Sequence, residues 1–328
     1  GRIDAGVIGL GHAEIERRDA DLLRSGLRDG GRAPCWKIAA RTGKSGAMSD
    51  ATGIEAPSGK DAAGENFPVG SLLLPARQRP HVAAFYAFAR AADDIADSPD
   101  LAPAEKATRL DRLAAALQGR GNEPAPAVAR RLRESLAATG AAPRHALSLL
   151  EAFRQDATKR RYADWDELMA YCDRSAAPVG RYLLELHGES RELWPASDAL
   201  CAALQVLNHL QDCGGDYRAL DRVYIPQTWL AGEGVGVAAL DEPACGPALR
   251  RVLDRMLDAT ESLLDRARPL PDGLRSRRLA MEAAAILAIA RRLAALLRER
   301  DPLAERVRLG RMAYLSCIVR GVRRGLLR

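Results

Sequence analysis

The twelve residues from Tyr86 to Asp97, YAFARAADDIAD, constrain this chain more than any other stretch. Tyr86, Arg90, Asp93 and Asp97 recur every three or four residues, and on a helix advancing about 100° per residue they form one narrow polar stripe. Phe85, Phe88, Ala89, Ala92, Ile95 and Ala96 cover much of the remaining circumference. Two acids four residues apart repel each other by about a few tenths of a kcal/mol on an exposed helix, and by more in a buried one. A cation is therefore expected beside them. An internal arginine would make the stripe structural; a divalent metal would make it part of an active site.

The whole chain favours helices. It has 328 residues, 47% hydrophobic and only 5% aromatic, with many Ala, Leu and Arg and few β-branched runs, so intrinsic propensity predicts an all-α fold with a substantial core. A net charge of +6 suits an anionic ligand or an acidic membrane surface. No zinc-finger spacing or aromatic-basic interleaving points to nucleic acid, and no nucleic-acid partner is expected. The six cysteines lack CxxC spacing and read as reduced, mostly buried thiols. No apolar run approaches the roughly 18 residues of a spanning helix, and no basic-then-apolar leader opens the chain. A cytosolic protein is expected, with a peripheral contact to the inner membrane face as an option.

Residues 1–60 are rich in Gly, Arg, Asp and Ser without a sustained period, which predicts disorder. Met48 lies inside a plausible start, so the preceding residues read as an upstream extension, and residues 61–328 are expected to form one domain. Helical pattern runs from about His81 to Asp97, from Pro103 to Gln118, from Ala127 to Ala138 and from Pro143 to Arg154. Asp164, with Glu167 three residues on, predicts a capping box for a helix carrying Tyr171, with a kink expected at Pro178. Further helices are predicted over Pro195 to Cys213, Pro247 to Ala267 and Leu274 to Arg300. A last one, starting near Leu303, carries Arg306, Arg308, Arg311, Arg320, Arg323 and Arg324.

The segment LQVLNHLQDCGGDY holds a second stripe: Gln205, Asn208, Asp212 and Asp216 share a helix face. An amide oxygen and two carboxylates are hard oxygen ligands of the kind Mg²⁺ prefers, with waters and phosphate oxygens completing its shell. Facing helices of a bundle are a common place to assemble such a site. Each stripe has a plainer reading. DDIAD alone suits an exposed acidic helix end, and the glycines of DCGGD suit a helix C-cap with Asp216 in a turn. Two such pairs among apolar residues favour a diphosphate-binding site holding two or three Mg²⁺ ions.

YAFARAADDIAD and LQVLNHLQDCGGDYRALDRVYIP resemble the first and second aspartate motifs of the squalene/phytoene synthase family, and the resemblance extends from about Asn66 to the last helix. It implies the isoprenoid synthase fold, a single-domain helical bundle around a central active-site cavity. By the same resemblance Asp93 and Asp97 match metal-binding acids of the first motif, and Asn208, Asp212 and Asp216 match ligands of the second. Asp94 is rotated off the stripe. Arg90, Gln205 and Arg222 match positions near the diphosphate, Phe67 an aromatic residue near the substrate, and Tyr171 a tyrosine near the reacting carbons, with Gly180 in the same segment.

Within the family, ENFPVGSLLLP, the Gln of LQD and DYRALDRVYIP most resemble the bacterial branch that converts presqualene diphosphate to hydroxysqualene on the route to hopanoids. That implies Mg²⁺-dependent ionisation, rearrangement and capture of one water, with no nicotinamide. Gln211 stands where squalene and phytoene synthases usually have Arg, and Asp173 and Arg174 follow Tyr171 where a second aromatic is common. Both departures point away from a full head-to-head condensation. Squalene, dehydrosqualene or phytoene synthesis is the alternative, and a non-catalytic assembly subunit is the second, disfavoured because both acid pairs are intact. The Arg-rich last helix reads either as a contact for anionic lipid headgroups or as a solvated face.

Overall fold

The computed structural model describes residues 74–121 and 124–326. The expectations for residues 1–60, Met48 and Phe67 lie outside the described residues. Every regular element described is helical, apart from 3₁₀ turns and an isolated parallel β-bridge between Arg161 and Val223.

The first four helices, α1 (Arg79–Asp97), α2 (Pro103–Leu117), α3 (Ala127–Thr139) and α4 (Arg144–Asp156), pack on one another. Phe85, Phe88, Ala92 and Ala96 of α1 are buried, as the apolar side of YAFARAADDIAD requires. Pro103 opens α2, where its missing N–H costs nothing, and Gly140, at φ 72°, closes α3 in the left-handed conformation. The expected cap of α5 (Trp165–Ser175) is present: Asp164 accepts a hydrogen bond from the Glu167 N–H at 2.9 Å. Pro178 restarts rather than kinks the helix, because α6 (Ala177–Leu186) begins after a break at Ala176.

The organising element is α7 (Trp194–Leu220), against which α6, α9 (Pro247–Ala267) and α11 (Arg277–Glu299) all pack. At Gly180 the approach of α6 to α7 leaves no room for a side chain, since a Cβ there would fall 2.7 Å from Cys201 Sγ. Short helices α8 (Gln227–Gly232) and α10 (Leu270–Gly273) connect the longer ones, and α12 (Arg311–Leu326) lies along α11.

Two further sequence expectations are corrected. α7 does not stop near Cys213, and its glycines are not a C-cap: the helix continues through Gly214 and Gly215 to Leu220. Gly214 is small because it is crowded, with a Cβ there placed 2.8 Å from the Leu303 side chain and 3.2 Å from the Leu240 carbonyl oxygen. The last helix starts at Arg311, not near Leu303. Asp301 organises a turn there instead, its two oxygens accepting the N–H groups of Leu303 (2.9 Å) and Cys245 (2.7 Å), so Arg306 and Arg308 lie outside the helix.

Candidate active site

On α1, Arg90 sits between two acids, 3.1 Å from Asp93 and 3.2 Å from Asp94. The internal counterion posed as one option by the sequence is thus present for these two, and Asp94 takes part although it lies off the stripe. Asp97 is held differently. Its Oδ1 accepts a hydrogen bond from Arg222 Nη1 at 2.5 Å across 125 residues of chain, while Arg222 Nη2 donates to the Ala96 carbonyl at 3.2 Å, satisfying an orphan acceptor at the end of α1.

The route by which Arg222 gets there is local. α7 ends at Asp221, the sole non-glycine residue with positive φ (51°) among the described residues. Aspartate tolerates that left-handed conformation better than most residues. Arg161 holds the turn by an ion pair to Asp221 at 2.5 Å, and the Arg222 N–H donates to the Asp216 carbonyl at 3.2 Å. The reversal carries Arg222 back over the acid end of α7.

Because α7 is unbroken, Gln205, Asn208, Asp212 and Asp216 share one helix. The Asp216 carboxyl is pushed up to about 7, first by burial, then by the Asp212 and Asp97 charges, with Arg222 opposing. Asp97 of the first stripe is thus among the charges acting on Asp216 of the second. Among the described residues Asn208 Oδ1 is buried without a hydrogen-bond partner, a state that costs about 1–3 kcal/mol unless a ligand or cation uses the oxygen. Gln205 Nε2 lies 3.1 Å from His209 Nε2.

Near the acids is a polar-aromatic cluster of which the sequence analysis named only Tyr171. Its centre is Asp156, the last residue of α4. The Tyr171 hydroxyl donates to Asp156 Oδ2 at 2.7 Å and the Tyr224 hydroxyl to Oδ1 at 3.4 Å. Tyr162 packs against both rings, and His209 stacks on Tyr224 with centroids 3.5 Å apart. Burial raises the Asp156 carboxyl to about 6, against the Tyr171 hydrogen bond, and Asp97 and Arg222 also act on it. Burial, helped by Arg222, lowers His209 to about 3, so its imidazole is neutral. The hint in the sequence was an acid closing the apolar run ALSLLEAF, which looks like any helix end until its partners arrive from α5 and the segment after α7.

The two departures around the motifs have structural partners. Gln211 is buried and donates to the Val307 carbonyl at 2.5 Å. Asp173 pairs with Arg181, and Arg174 donates to Gln155 at 2.7 Å.

The donor set fits Mg²⁺. It is all oxygen, it is short of positive charge at Asp216, and it includes an orphaned acceptor at Asn208. Among the described residues no group of three or more His, Cys, Asp or Glu side chains is placed to hold a metal ion.

Comparison with known proteins agrees with this architecture. The squalene/phytoene synthase family matches residues 60–313. A hydroxysqualene synthase of Rhodopseudomonas palustris is 50% identical over 255 residues, covering 78% of this chain and 87% of the relative. That of Zymomonas mobilis is 43% identical over 252 residues, covering 76% and 84%. The crystal structure of squalene synthase HpnC from Alicyclobacillus acidocaldarius superposes with a TM-score of 0.62 at 32% identity, covering 70% of this chain and 87% of that one. A dehydrosqualene synthase at 22% identity (TM-score 0.63, covering 78% and 89%) shares the fold. By its match to the family over residues 60–313 and its identity to these relatives, the chain belongs to the squalene/phytoene synthase family.

Proposed function

We propose that this chain ionises presqualene diphosphate, rearranges the resulting cation and captures one water, releasing hydroxysqualene and diphosphate as a carbon–oxygen lyase. The observation that carries the reading is 43–50% identity to three bacterial hydroxysqualene synthases over at least 76% of the chain. The electrostatic meeting of Asp97, Asp212 and Asp216 supports it. Residues 61–328 form the catalytic domain in this reading.

Asp93, Asp97, Asn208, Asp212 and Asp216 would hold two or three Mg²⁺ ions. When bound, these act as Lewis acids on the departing diphosphate. Arg90 and Arg222 exchange part of their hold on the α1 acids for diphosphate oxygens, and Gln205 and Phe67 contact the substrate. Tyr171 is a fixed group: its hydroxyl is tied to Asp156 and its own pKa is raised well above the ordinary value by burial. It stays neutral, so its ring can face a carbocation without delivering a nucleophilic phenolate. The neighbouring Tyr162, Tyr224 and neutral His209 extend that polarisable lining and exclude bulk water. No nicotinamide is required, since water capture needs no hydride.

Purified protein incubated with presqualene diphosphate and Mg²⁺, without reductant, is expected to give the alcohol. Dehydrosqualene as the product would overturn the assignment, because the cation would then lose a proton instead of capturing water.

A further inference from the structure

The outer face of α12 takes no part in the site, and its composition is unusual. Only four large hydrophobic residues are exposed among the described residues, and three of them, Met312 (78% exposed), Leu315 (53%) and Val319 (64%), lie on this helix. Spaced at i, i+3 and i+7, they form one stripe. Arg323 continues it, Arg320 and Arg311 flank it, and α12 contains no acid. The opposite face is fixed: Cys317 is buried, and a Cβ at Gly321 would collide with the Ala285 backbone, so α12 is clamped against α11 with its apolar stripe outward.

A second feature adjoins the stripe. A groove of about 560 Å³ runs between α12 and α11 to the end of α9, with Leu287 and alanines as its floor and Arg268, Arg292 and Arg320 on its walls. Arg291 in the same groove is paired with Asp265 at 2.6 Å, and Arg324 with Asp272 at 2.5 Å.

We propose that α12 is a membrane-docking surface that lies in the interface of a bilayer containing anionic phospholipid. Met312, Leu315 and Val319 enter the acyl boundary, and Arg292, Arg320 and Arg323 meet phosphate groups. Apolar residues flanked by arginines on an interface-parallel helix suit that environment. A second copy of the chain suits it poorly, because it would set arginines against arginines. Among the described residues no helix is long and apolar enough to cross a membrane.

The test is co-sedimentation of the full chain with vesicles. Binding is expected to phosphatidylcholine and phosphatidylglycerol in equal parts, falling steeply with added salt, and not to pure phosphatidylcholine. The triple variant Met312→Ser, Leu315→Ser, Val319→Ser should bind at least about tenfold more weakly. Arg320→Gln with Arg323→Gln should lose about fivefold per arginine. The pair Arg130→Gln and Arg131→Gln, exposed on α3, alters net charge equally and should bind like wild type. The proposal fails if the triple variant binds as well as wild type, if the α3 pair weakens binding as much as the α12 pair, or if wild type ignores anionic vesicles. It also fails if the stripe instead supports a dimer that the triple variant dissolves. Since the readout is lipid binding, these outcomes are independent of which product the enzyme makes.

Discussion

The two aspartate stripes look alike in sequence and differ in how their charge is balanced. On α1, Arg90 lies against Asp93 and Asp94, and Arg222 against Asp97, all within 3.2 Å. On α7, burial first and then the Asp212 and Asp97 charges push the Asp216 carboxyl up to about 7, against the opposing charge of Arg222. On α1 each acid is held by an arginine, whereas on α7 Asp216 lies buried with the charges of other acids acting on it. The difference predicts that metal dependence is concentrated on α7, although pattern alone would rank the two equally.

The largest effect should come from Asp216→Asn. Losing an α7 ligand removes several kcal/mol of transition-state stabilisation, about a thousandfold in kcat. Asp93→Asn should cost only about ten- to a hundredfold, since Arg90 then remains available to the leaving diphosphate. Steady-state rates with Mg²⁺ in excess decide this, and equal losses would break the contrast between the helices.

Arg222→Gln tests the bridge between them. Arg222 is 7% exposed and Asp97 is partly exposed. Removing the guanidinium strands Asp97 and leaves Asp156 and Asp216 without their nearest compensating charge. A loss of about 2 kcal/mol is expected in urea unfolding of the metal-free protein, less than for a fully buried pair. Mg²⁺ should restore part of it, and no recovery would argue that the ion does not reach Asp97.

Much of this arrangement was legible beforehand. The 3.6-residue period placed α1 and α7, and Asp164 and Pro103 marked helix starts because N-terminal chemistry is local. What could not be read was set by distant partners. Gly214 looked like a helix stop, yet its smallness answers to Leu303 and the Leu240 carbonyl. Asp156, beyond the predicted end of its helix at Arg154, drew no expectation, yet it collects hydroxyls from Tyr171 and Tyr224. His209 lies off the stripe, and only its stacking on Tyr224 puts it in the cluster around Asp156. Sequence period reveals which face a residue is on, and tertiary packing decides what it meets there.

A smaller effect follows from protons. Asp216 holds its proton to about pH 7 in the folded chain and only to about 4 when unfolded. The folded state then binds more protons between these values, so this group's contribution to stability is full at low pH and is lost as pH rises through 7. His209, lowered to about 3, acts in the opposite sense below about 6.5. Comparing wild type with Asp216→Asn cancels that background. Metal-free wild type should lose a few degrees of Tm relative to the variant between pH 6 and pH 8, and Mg²⁺ should raise the wild-type Tm more at pH 8 than at pH 6. A parallel pair of Tm curves would mean that Asp216 is ionised throughout.

The smallest effect, and the control for all the others, is Asp94→Asn. Asp94 is partly exposed and pairs with Arg90 four residues earlier, an interaction worth about 0.5 kcal/mol or less. Its asparagine can still accept a hydrogen bond from Arg90, which keeps Asp93 at 3.1 Å. Stability should therefore change by no more than about 0.5 kcal/mol and kcat by no more than about twofold. Asp93 and Asp94 differ by one residue and share one arginine; what separates them is about 100° of helix. If Asp94→Asn proved as damaging as Asp93→Asn, the arginine they share, rather than the direction of the stripe, would be the functional unit on α1.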